Sequence, residues 1–103
     1  MRILVAETDM DLLAEVKRAL EAVGHEVIVV ADGMGAWGYL ASAAPPDLLV
    51  TRLHLGAGSP PGTALGMHAQ SHIPRIPVIY IPSDAERAKL AEPEAVVVAL
   101  TGS

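Results

Sequence analysis

The chain has 103 residues, enough for one domain and too few for two ordinary ones. It contains no cysteine, which excludes disulfides, thiol catalysis and Cys-ligated metals, and its net charge of −5 with scattered Lys and Arg argues against a nucleic-acid surface, which needs a basic stripe. Its longest apolar run, AVVVAL, suits a strand and not a membrane span, and MRILVAETD meets acids before a signal sequence develops, so the expected compartment is the cytoplasm.

RILVA (2–6) is the run of a strand buried on both faces. Thr8 or Asp9 then offers an N-cap, Leu12, Leu13, Val16, Leu20 and Val23 recur at helical spacing, and Gly24 sits where the residue after a helix C-cap belongs. HEVIVVA (25–31) is a second strand, DGMG a turn, and Ala36 to Ala43 a short helix ended by Ala44-Pro45-Pro46. DLLVTRL (47–53) is the third strand, and GAGSPPG (56–62) a loop rich in Gly and Pro. A helix from Thr63 to His72 is closed by Pro74, and IPVIYI (76–81) is the fourth strand. Ser83 or Asp84 caps a short helix through Ala91, and EAVVVAL (94–100) gives a fifth strand. No repeat or linker interrupts residues 1–103, which read as a single domain.

Strands alternating with helices at this spacing predict a doubly wound α/β fold around a parallel sheet. In such sheets the working site lies at the carboxyl ends of the strands. The residues just past those ends are Glu7, Thr8 and Asp9, then Asp32 and Gly33, then Arg52, then Pro82 and Ser83. Among them Arg52 is anomalous. In PDLLVTRLHLG a permanent cation follows Leu48, Leu49 and Val50, and a guanidinium is costly to bury unpaired.

RILVAETDMDLLAEVKRALEAVGHEVIVVADG resembles the start of bacterial response-regulator receiver domains, PDLLVTRLHLG their third strand and IPVIYIPSD their fourth. The resemblance spans residues 1–100 and is strongest through residue 55. It implies a flavodoxin-like five-stranded sheet in the order 2-1-3-4-5 and a place in two-component phosphorelay signalling. Members of that family continue into a final helix, whereas this sequence ends in TGS after Leu100, so the expected fold lacks it.

Receiver chemistry, as the resemblance implies it, uses two acids after the first strand for Mg²⁺ and a phosphoryl-accepting Asp at the end of the third. A hydroxyl residue after the fourth strand and a Lys after the fifth contact the phosphoryl group. Carried over by position, Glu7 keeps the first acid, Thr8 replaces the second, Arg52 stands at the phosphoacceptor, and Pro82 replaces the hydroxyl residue with Ser83 beside it. Lys17 and Lys89 are the only lysines and neither follows the fifth strand; no aromatic follows Tyr80. An Arg accepts no phosphoryl group by the acyl-phosphate route and repels Mg²⁺. The expectation is a degenerate, phosphorylation-independent, non-enzymatic domain with Mg²⁺ binding lost and no cofactor. Arg52 is expected to pair with Glu7, Asp9 sharing the contact, in the volume the metal and phosphoryl group would fill.

Such a domain would act through protein partners: a histidine kinase, another receiver, or its own copy as a homodimer. The expected surfaces are the first helix and the fourth helix with the fifth strand. The alternative is a sensor of small anions or nucleotides using Arg52, His54 and the loop 56–62, against which Glu7 and Asp9 would repel the ligand. An enzyme lacks support, since no nucleophile–base pair or metal cluster is visible. GMGAWG (33–38) matches G-x-G-x-x-G but follows the second strand rather than the first, so it reads as a Gly-rich turn. His68 and His72 stand at i, i+4 without a third ligand and read as solvated helix residues. Ser59-Pro60-Pro61 reads as a stiff loop rather than a polyproline contact, and three aromatics in all argue against base-stacking platforms.

Overall fold

The computed structural model describes residues 1–42, 44–56 and 58–81. Within them the order is β1 (Arg2–Ala6), α1 (Met10–Ala22), β2 (Glu26–Val30), α2 (Gly33–Leu40), β3 (Leu48–Arg52), α3 (Gly62–His72) and β4 (Val78–Ile81). The strands form one parallel sheet in the order β2-β1-β3-β4. This is the expected α/β arrangement for four strands. The expected fifth strand and the helix before it lie outside the described residues.

Two cores flank the sheet, because alternate residues of a strand point to opposite faces. Ile3, Val5, Leu48, Val50 and Ile81 meet Leu12, Leu13, Val16 and Leu20 of α1 on one side. Leu4, Ala6 and Leu49 meet Ala36 and Leu40 of α2 and Leu65 and Ala69 of α3 on the other. Asp9 caps α1, its carboxylate accepting from the Asp11 amide at 3.0 Å and the Leu12 amide at 3.2 Å. Gly24 follows with φ +94°, a conformation that ends the helix and suits glycine. Val23, expected on the buried stripe, is the exposed C-cap instead.

Several boundaries differ from expectation, β2 and β3 each being one residue shorter at both ends than HEVIVVA and DLLVTRL. The DGMG segment is not a turn: Asp32 caps α2, accepting from the Gly35 amide at 2.6 Å, so the helix starts at Gly33 and ends at Leu40. A good cap overrides the poor helix propensity of glycine at the first turn. β4 begins only at Val78, since the Ile76 amide is bonded to the Ile73 carbonyl at 3.1 Å in the preceding turn. α3 starts one residue early, at Gly62, with Pro61 as N-cap and no side-chain cap bond.

Candidate functional site

β1 and β3 are neighbours, with Ala6 opposite Thr51. Ile3, Val5, Leu48 and Val50 share the α1 face. Continuing that alternation by one step puts Glu7 and Arg52 side by side on the same face, at the carboxyl end of the sheet. The strand pattern therefore delivers a carboxylate and a guanidinium to one point with no loop between them.

Glu7 is fully buried and Arg52 keeps only 12% of its side chain exposed. Arg52 Nε lies 3.4 Å from Glu7 Oε2, and Arg52 Nη1 donates to Thr8 Oγ1 at 3.0 Å. The Thr8 amide donates to the same Glu7 Oε2 at 3.0 Å, and the Glu7 amide donates to the Val30 carbonyl of β2 at 3.2 Å. Glu7, Thr8 and Arg52 thus form a closed cluster tied to three strand ends. At 3.4 Å and an effective dielectric near 20, the charge–charge attraction is about 5 kcal/mol, most of it offset by removing both ions from water. By contrast Arg2 and Glu26 meet at 2.7 Å with 36% and 63% of their side chains exposed, and water screens that pair. Glu26 raises the Arg2 pKa through its hydrogen bond and charge.

The backbone of Arg52 is held as closely as its head. The Thr51 hydroxyl donates to the Arg52 carbonyl at 3.0 Å, and the Gly62 amide donates to the Leu53 carbonyl at 2.8 Å. A Cβ on Gly62 would fall on the Arg52 carbonyl oxygen, so the start of α3 rests directly against the end of β3. Asp9 stands beside the cluster as the α1 cap. His54 is exposed in the loop after β3. Pro82 and Ser83, the remaining expected members of the pocket, lie outside the described residues.

A second cluster escaped the sequence reading. Trp37 of α2 stacks on His68 of α3 with ring centroids 3.7 Å apart and planes 7° from parallel. His72 meets the edge of His68 at 4.6 Å, and His68 Nε2 lies 3.2 Å from the Trp37 carbonyl oxygen. The i, i+4 spacing of the histidines was visible, but nothing in sequence indicated that Trp37 would reach them. Among the described residues no group of three or more His, Cys, Asp or Glu comes together as a metal site would require, and no helix is long and apolar enough to cross a membrane. GMGAWG lies within α2, its glycines forming helix rather than a phosphate cradle.

No protein-family model matches the sequence, and no curated protein matches it either. Solved structures do. A response regulator receiver protein from Sinorhizobium medicae superposes with a TM-score of 0.75 at 24% identity, covering 100% of this chain and 95% of that one. The phosphorylated cyanobacterial phytochrome response regulator RcpA gives 0.75 at 25% identity, over 98% of this chain and 89% of that one. The N-terminal domain of a response regulator/sensory box/GGDEF protein from Carboxydothermus hydrogenoformans gives 0.74 at 22% identity, over 92% and 74%. The fold of this chain is the response-regulator receiver fold.

Proposed function

We propose that this receiver-fold chain is a phosphorylation-independent signalling module that works by binding protein, with an internal ion pair where its active relatives by fold handle a phosphoryl group. The single observation behind this reading is the Arg52–Glu7 contact of 3.4 Å at the carboxyl end of the sheet. A divalent cation does not fit the groups described there. Glu7 Oε2 already faces a guanidinium and accepts the Thr8 amide, and the Thr8 hydroxyl accepts from Arg52. A cation entering that cluster would meet a fixed positive charge within a few ångströms. Arg52 itself carries no carboxylate to receive a phosphoryl group.

The module is not an enzyme on this reading, and its partners are a histidine kinase, another receiver or a second copy of itself. Within the site, Arg52 and Glu7 act as a fixed filler that holds one conformation of the carboxyl edge. The anion-sensor alternative asks Arg52 to spend its charge on a ligand, and the guanidinium is turned onto Glu7 and Thr8 instead. No observation favours it.

Incubation with acetyl phosphate and Mg²⁺, followed by intact-mass measurement, tests the reading. The unmodified mass is expected at every time point. A stable adduct of one phosphoryl group on an Asp or Glu side chain would overturn it.

A further inference from the structure

Two of the chain's four histidines meet at the contact between α2 and α3. His68 and His72 stand one turn apart on α3, so their side chains rise from one stripe of the helix. Their ring centroids are 4.6 Å apart and their planes 80° from parallel. His68 is half-buried under Trp37, which stacks on it at 3.7 Å, and His72 is exposed. The stack already holds the His68 ring in place, so little ordering is lost when that ring binds a ligand.

The hydrogen bond of His68 decides which of its nitrogens is left for a ligand. Nε2 lies 3.2 Å from the Trp37 carbonyl oxygen. A carbonyl only accepts, so Nε2 carries the proton, and Nδ1 of the neutral ring keeps its lone pair. An imidazole that donates one N–H to a backbone carbonyl and keeps the other nitrogen bare is in the state that metal-ligating histidines adopt.

The ring spacing matches that of two imidazoles on one ion. A metal–nitrogen bond of about 2.1 Å puts the ion about 3.2 Å from each ring centre. Ring centres are then about 4.5 Å apart for a right angle at the metal and about 5.2 Å apart for a tetrahedral one. The observed 4.6 Å agrees with the right angle, which Ni²⁺ and Cu²⁺ favour. Charge also suits a cation. Residues 33–40 and 62–72 include no Lys or Arg, and the next basic residue in sequence, Arg75, lies past Pro74 in the following turn. His72 is in the last turn of α3, at the negative end of the helix dipole.

We propose that His68 and His72 form an open chelating site for a divalent late transition-metal ion, Ni²⁺ or Cu²⁺, with water completing its shell. A closed site needs three or four protein ligands, whereas an open one needs two imidazoles at this spacing. Through the His68 bond to the Trp37 carbonyl, the ion ties the last turn of α3 to α2. The site lies about 9–15 Å along α3 from Gly62, where the helix rests on Arg52, and goes beyond the binding-module reading without depending on it.

Trp37 is the chain's one tryptophan and lies against a ligand ring, so a paramagnetic ion held there quenches its emission. Titration of the intact chain with Ni²⁺ at neutral pH, read by Trp37 emission, is the experiment. Saturable quenching at one Ni²⁺ per chain, with a micromolar midpoint, is expected. His72→Gln removes one ligand at an exposed position and leaves the Trp37–His68 stack in place, and it is expected to weaken binding at least ~10-fold. His25→Gln removes an imidazole outside the pair and is expected to leave the midpoint where it was. Absence of saturable quenching up to millimolar Ni²⁺ overturns the proposal. A midpoint that His72→Gln does not move, with circular dichroism confirming a folded variant, overturns it as well, as does saturation at one ion per two chains.

Discussion

Arg52→Met keeps most of the apolar stem of the side chain and deletes its charge, leaving the Glu7 carboxylate buried without its cation. Glu7 has no exposed surface, so it cannot turn to water without the site opening. Breaking a buried pair in this way costs roughly 3–5 kcal/mol. The residual 12% exposure of Arg52 lets some water relieve the strain, which places the expectation near ~3 kcal/mol. For a domain of this size each kcal/mol moves the melting temperature by about 4–8 °C, so the midpoint should fall by at least ~12 °C. Chemical denaturation with urea, followed by circular dichroism, gives the free energy directly. The decisive arm is the double variant: adding Glu7→Gln to Arg52→Met removes the stranded charge, so the two losses should fall short of additive by ~2 kcal/mol or more. A loss under ~0.5 kcal/mol for Arg52→Met, or strict additivity with Glu7→Gln, would refute the reasoning.

Gly62→Ala should destabilise by roughly 1–3 kcal/mol in the same urea experiment, because its methyl group would fall on backbone, the Arg52 carbonyl, which cannot swing aside. Gly38→Ala should do the opposite, raising stability by ~0.5–1 kcal/mol, since its Cβ would meet nothing within 4 Å and the residue lies inside α2. Asp32→Ala should cost about 1–2 kcal/mol and reduce helical signal, as α2 has three glycines in eight residues and leans on its cap. Arg2→Ala should leave the melting temperature unchanged, its ion pair with Glu26 being open to water.

Much of the architecture was readable from residue pattern. The apolar runs at β1 and β3 and the stripe of Leu12, Leu13, Val16 and Leu20 are signals strong enough to survive without tertiary information. The start of α2 was not, because glycine-rich GMG looks like a turn until the Asp32 cap is seen to organise it. Val23 fitted the helical stripe by spacing but fell at the C-cap, where Gly24 turns the chain away. The closeness of Glu7 and Arg52 followed from two short-range facts, strand alternation and the adjacency of β1 and β3. The Trp37–His68 stack depends instead on how two helices lie against each other across a sheet, and spacing along the chain holds no record of that.

The central claim is that Arg52 holds Glu7 where a metal ion would otherwise sit. The Thr8 amide, bonded to Glu7 Oε2 at 3.0 Å, is a reporter built into that contact. Titrating the ¹⁵N-labelled chain with Mg²⁺ into the tens of millimolar and following the Thr8 amide resonance tests the claim most directly. The account predicts no saturable shift at Thr8. A saturable shift there, with its neighbours Glu7 and Asp9 moving at the same midpoint, would contradict it.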